Sequence, residues 1–110
     1  MAENRSRSVV AGGEIVLDNF GFWNKDCQAR SFTRKITQKP ANGVITYRDA
    51  KYVVPERVGI GTSTGCVGQS VASKEVVYTP NAGFLGKDVV GLVVGNQSGS
   101  RAFLYTISVN

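Results

Sequence analysis

An all-β sandwich of about seven to nine short strands is the fold this sequence predicts, and three observations carry the prediction. No window of about eleven residues places apolar side chains at i, i+3, i+4 and i+7 without Gly, Pro or a β-branched cluster intervening, so amphipathic helices are absent. Short apolar or alternating runs recur instead, separated by turn residues about every 8–12 positions. The chain has 110 residues, 42% of them hydrophobic and 19% charged, with 13 Gly. That is material for one domain spanning residues 1–110 and one core. A single open sheet would leave an apolar face in water, so two facing sheets are expected.

The elements follow in chain order. Ser8 to Val10 and Glu14 to Asn19 are apolar or alternating runs divided by Gly12-Gly13, with Ile15 and Leu17 on one side. Phe20 to Cys27 is an aromatic, turn-rich stretch containing Phe22 and Trp23. Phe32 to Gln38 alternates, putting Phe32, Arg34 and Ile36 on one face and Thr33, Lys35 and Thr37 on the other, until Pro40-Ala41-Asn42-Gly43 ends it. Val44 to Tyr47 returns as a hairpin strand, and Tyr52 to Val54 is a short strand that Pro55 confines to a sheet edge. Arg57 to Ser73, with its glycines and Cys66, reads as a long loop. Glu75 to Thr79, Asp88 to Val94 and Arg101 to Val109 complete the set, the last two joined by the hairpin composition Gly95-Asn96-Gln97-Ser98-Gly99. Phe103, Tyr105, Ile107 and Val109 share one face of the last strand.

Composition removes much chemistry. There is no His, which excludes Ser-His and Cys-His dyads and imidazole zinc sites. The loop Gly59 to Gly65 lacks the Lys of a phosphate-binding loop, and no helix follows it. The eight acids are scattered, and they read as a solvated surface instead of a hydrolytic pair. No catalytic residue, metal site or cofactor is expected. The balance of 13 Lys+Arg against 8 Asp+Glu gives a formal charge of +5, but the only adjacent basic pair is Arg34-Lys35. A mildly basic surface without nucleic-acid binding is the expectation.

Cys27 and Cys66 both lie among Gly, Ser, Thr, Asn and Asp instead of in apolar runs, and their spacing is not that of a redox pair. A structural disulfide is expected. It implies an oxidising compartment, either the periplasm or the cell exterior. The first eight residues contain no apolar stretch, so the expectation is a mature fragment whose signal peptide has been removed. A virion surface is the alternative address. No run approaches the ~20 apolar residues of a membrane helix.

The most specific text is Tyr78-Thr79-Pro80-Asn81-Ala82-Gly83-Phe84-Leu85-Gly86-Lys87-Asp88. A strand ends at Pro80, Asn81 and Gly83 make a turn, Phe84 returns an aromatic to the core, Gly86 permits a positive φ, and Asp88 opens the next strand. It is a corner between two sheets. With Lys39-Pro40-Ala41-Asn42-Gly43-Val44 before it and the Val90, Leu92, Val94 alternation after it, the string resembles the bacterial Ig-like or cadherin-like extracellular repeats over about residues 32 to 109. The cysteine placement is similar to small secreted single-domain alphaproteobacterial members. The resemblance implies an Ig-like, Greek-key sandwich and a binding or scaffolding role, and it brings no catalytic residues. Val90 and Leu92 stand where the family pattern has aromatics. Asp18, Asp26, Asp49 and Asp88 stand singly, so no calcium cage is expected.

The functional expectation is a secreted or periplasmic, non-catalytic module that binds a protein or glycan. The alternative is a structural subunit, such as a phage decoration protein or a cell-surface appendage component, that docks onto copies of itself. The contact candidates are Phe22, Trp23, Arg30 and Arg57, in the loops that the two cysteines would join. The plainer role for the aromatics is to shield the disulfide and close one end of the sandwich.

Overall fold

The computed structural model describes residues 2–55, 64–96 and 99–110. It is a two-sheet β-sandwich of 46 × 25 × 20 Å. Seven strands are described: β1 (Glu3–Val9), β2 (Ile15–Phe20), β3 (Thr33–Gln38), β4 (Gly43–Val53), β5 (Ser70–Pro80), β6 (Gly86–Asn96) and β7 (Gly99–Val109). One sheet has the order β1-β7-β6-β3 and the other β2-β5-β4. β1 runs parallel to β7, with Glu3 opposite Phe103 and Val9 opposite Val109, and the other pairs are antiparallel. A 3₁₀ turn at Thr64–Cys66 is the one helical element among the described residues.

Alternation explains the main core. Val90, Leu92 and Val94 of β6 and Phe103, Tyr105, Ile107 and Val109 of β7 point inward onto Leu17, Val76 and Tyr78, all but removed from water. Both open seams of the sandwich are closed by arginines. Between β1 and β2, Arg7 donates from Nε to the Leu17 carbonyl at 2.9 Å and lies over the Tyr105 ring, whose hydroxyl donates to Asp18 at 2.6 Å. Between β3 and β4, the Arg34 guanidinium lies 4.5 Å from the centre of the Tyr47 ring.

The corner expected from the sequence is present, and its partner is the other motif. Asp88 is buried and accepts hydrogen bonds from the Tyr78 hydroxyl at 2.8 Å and from the amides of Ala41, Asn42 and Val89 at 2.9 Å. The β3–β4 turn is thereby tied to the start of β6. Burial alone pushes the Asp88 carboxyl upward, but donation from Tyr78 and the three amides outweighs it and holds the group below its ordinary value. Burial and the bond to Asp88 push the Tyr78 phenol well above its usual value. Gly43 is required here, because a Cβ would stand 2.6 Å from Cζ of Tyr78. Gly86, at φ +129°, takes the positive-φ conformation expected of it.

The structure corrects several boundaries. β1 begins at Glu3, not Ser8, because its inward positions carry Glu3, Arg5 and Arg7 and so hide the alternation. The two short strands expected at Val44–Tyr47 and Tyr52–Val54 are one continuous β4, whose polar centre Arg48-Asp49-Ala50-Lys51 pairs along its length with β5. β5 starts at Ser70, inside the expected loop. Phe84 is half-buried against the core instead of enclosed in it. β4 is a sheet edge, as Pro55 requires.

Candidate functional site

Residues 21–32, 54–55 and 64–69 lie at the end of the sandwich opposite the Asp88 corner. Here the chain builds a second, smaller core. Val54, Cys66 and Val71 are buried, with Trp23, Cys27 and Tyr52 packed on them. Its position follows from the register. Val71 pairs with Tyr52, and Val71 and Val76 lie an odd number of residues apart on β5, so they point to opposite faces. Because Val76 belongs to the main core, the small core sits on the outer face of the β2-β5-β4 sheet.

Local hydrogen bonding shapes the segment that covers it. Residues 22–30 form a short hairpin in which Trp23 bridges Ala29 and the Arg30 amide donates to the Phe22 carbonyl at 2.8 Å. Asn24 organises the tip: its Oδ1 accepts the amides of Asp26 at 2.9 Å and Gln28 at 3.0 Å, and its carbonyl accepts the Cys27 amide. The tip places Cys27 at φ +62°, a region that residues with a side chain seldom occupy. The expected Cys27–Cys66 disulfide is present, with Cα atoms 5.4 Å apart. Beyond it, the Gln69 amide donates to the Cys66 carbonyl, and the amides of Val54 and Gly68 tie the segment to the end of β4.

The structure brings Phe22, Trp23 and Arg30 to this one end; Arg57 lies outside the described residues. Trp23 stacks on Tyr52 with ring centres 5.8 Å apart, and Phe22 meets Phe32 at 4.8 Å. Both aromatics are half-buried, so each serves packing with one side and faces water with the other. Arg30 is exposed and lines an open depression of about 600 Å³ with Phe32, Thr33 and Gly95. An indole, two phenyl rings, a phenol and a guanidinium can stack, make cation–π contacts and donate hydrogen bonds. Sequence reasoning missed Tyr52 as the platform under Trp23 and Asn24 as the organiser of the hairpin. The Asn24-x-Asp26 spacing was a legible turn signal, whereas nothing near Tyr52 marked it.

Among the described residues there is no group of three His, Cys, Asp or Glu able to hold a metal ion, and no helix long and apolar enough to cross a membrane. Fold and site together define a two-sheet β-sandwich with a disulfide-clamped loop end. No protein-family model and no curated protein matches the chain. Among solved structures, one described as "Solution Structure of Amebosin" is similar over 96% of this chain and 88% of that one, at 14% identity and a TM-score of 0.43. A likeness of that size carries no argument about fold or role.

Proposed function

We propose that this chain is a secreted or periplasmic Ig-like module that binds a protein or glycan without chemical turnover, using the disulfide-clamped end. Support for the Ig-like reading is the strand order: β2, β5 and β4 on one sheet and β7, β6 and β3 on the other occupy the chain positions that an Ig sandwich gives to strands B, E, D and G, F, C. Support for the compartment is the disulfide, which persists where the surroundings are oxidising.

The observation that carries the proposal is the small outer core. It fixes a hairpin that would otherwise be a loose connection, so the exposed sides of Phe22 and Trp23 and the guanidinium of Arg30 are held ready for a partner. Prior ordering lowers the entropy lost on binding. The test is to screen the immobilised protein against glycan and cell-surface protein panels, then compare a Trp23→Ala, Arg30→Ala double variant of unchanged far-UV circular dichroism. Loss of tenfold or more in affinity is expected. Unchanged binding by the folded variant would place the contact surface elsewhere.

A further inference from the structure

The cations that are scattered in sequence are sorted in space. Among the described residues, Arg5 and Arg101 pair with Glu3, Arg7 with Asp18, Arg48 with Glu14 and Glu75, and Lys74 with Asp49. Asp88 is committed to the corner. The cations left without an acidic partner include Arg30, Lys35, Lys39 and Lys87, and β3, the start of β6 and the residues flanking β3 set these four along one strip. Lys35 lies opposite Val93, on the outer face of the β1-β7-β6-β3 sheet, because the neighbouring Ile36 and Leu92 face the core. Lys39 and Lys87 line a depression of about 230 Å³ at the corner end of the strand pair, together with Gln38, Ala41, Asn42, Val89 and Asp88, whose carboxylate is held by Tyr78 and the turn amides, and Arg30 lines the larger depression at the other end. The β3 part of the strip, Thr33–Gln38, is about 17 Å long at the usual rise per strand residue.

Its chemistry is uniform. Thr33, Lys35, Thr37, Gln38, Lys39 and Lys87 are all exposed, and none of them is acidic or aromatic. The one exposed acid near Arg30 in sequence, Asp26, sits at the hairpin tip beside Cys27, which the disulfide draws to the other sheet. We infer that the outer strip of β3 and β6 is a docking track for an acidic polysaccharide, with lysine ammonium groups pairing its carboxylates and Thr and Gln side chains bonding its hydroxyls. This rests on the binding-module reading and names a ligand class for it. Charge complementarity selects an anionic chain. The rings near the strip, Phe22 and Phe32, are half-buried against each other at its Arg30 end, and none lines the depression between Lys39 and Lys87, which disfavours nucleic acid, whose unpaired bases stack on successive aromatic platforms. The lack of large apolar anchors there disfavours a protein interface, whose binding energy concentrates in such residues.

The probe is a polygalacturonate oligomer, with dextran as the neutral comparator and an oligothymidylate as the competing polyanion, measured by titration calorimetry at low and high salt. The wild type is expected to bind polygalacturonate, to lose at least tenfold in affinity as salt rises, and to leave dextran unbound. A Lys35→Glu, Lys39→Glu, Lys87→Glu variant is expected to lose at least tenfold, while a Lys25→Glu, Lys51→Glu control stays within about twofold. Were charge reversal to disturb folding, the Lys35→Gln, Lys39→Gln, Lys87→Gln variant would carry the test, with a loss of about threefold or more. Any one of four results overturns the track: no binding of polygalacturonate, equal binding of dextran, equal losses in strip and control variants, or oligothymidylate bound as tightly. None of these variants alters Phe22, Trp23 or Arg30, so failure here leaves the clamped-end reading to its own experiment.

Discussion

At one end of the sandwich a single buried carboxylate gathers a phenol and three amides, while at the other a disulfide fastens a hairpin to a distant loop. The difference follows the length of chain each end must order. The connections at the carboxylate end span residues 10–14, 39–42 and 81–85, whereas the sequence between the strands at the disulfide end runs over 21–32 and 54–69. Closing a longer loop costs more entropy. Hydrogen bonds suffice where turns are tight; a covalent link serves where they are not. The carboxylate also binds the two sheets through Tyr78, whereas the disulfide acts on the outer face of one sheet.

The largest expected effect separates the two ends. A Cys27→Ser, Cys66→Ser variant should lose about 4 kcal/mol of stability by the loop-entropy argument, lowering the melting temperature by roughly 15–30 °C. Its far-UV circular dichroism at 25 °C should keep the sheet signature, because neither cysteine belongs to the main core. A collapse of that signature at 25 °C would show that the ends do not act independently.

Asp88→Ala comes next, at about 3 kcal/mol in urea denaturation, since it strands the Tyr78 hydroxyl and the buried ends of two turns. The wild-type carboxyl titrates below its ordinary value, so its contribution is complete above the unfolded pKa of about 3.9 and fades as pH falls through the lower folded value. The stability gap between wild type and variant should therefore be constant from about pH 7 to 5 and narrow below about pH 4. A gap that widened on acidification would contradict the geometry. Combining this change with the cysteine substitutions should give additive losses to within about 0.5 kcal/mol, because the sites share no contact.

Gly43→Ala sharpens the same comparison at the smallest scale. The added methyl meets the enclosed Tyr78 ring, so a loss of about 2 kcal/mol in urea denaturation is expected from one carbon atom. A neutral result would mean that the corner yields more readily than its packing implies.

Much of the fold was legible because turn chemistry is local. Pro80, Gly83 and Gly86 announce the corner by themselves, and the composition around Cys27 and Cys66 announces their bond. What escaped reading was set by pairing partners far away in the chain. Glu3, Arg5 and Arg7 look like a polar leader until β7 is placed beside them and Asp18 opposite. Arg48-Asp49 looks like a turn until Glu75 and Lys74 neutralise it. In the candidate site, Phe22, Trp23 and Arg30 were found through residue type, but Tyr52 reaches Trp23 only through the β4–β5 register. The strip of lysines is likewise a product of strand pairing: Lys35 and Lys87 are remote in sequence, and beyond the register shift at Ile36/Gln38 the end of β3 shares a depression with Lys87.

The parallel pairing of β1 with β7 bears on how the molecule is made. Glu3 finds its neighbour only at Phe103, and the seam between the sheets is closed by Arg7 reaching over Tyr105. During synthesis at about 5–20 residues per second, the first strand waits roughly 5–20 s for the last one to appear. As β2 to β6 emerge in turn they carry their apolar faces without β7, so the nascent chain is an open book whose back cover arrives after the other pages. Folding is then slow in the manner of distant strand pairings, and a holding chaperone has its longest opportunity before β7 closes.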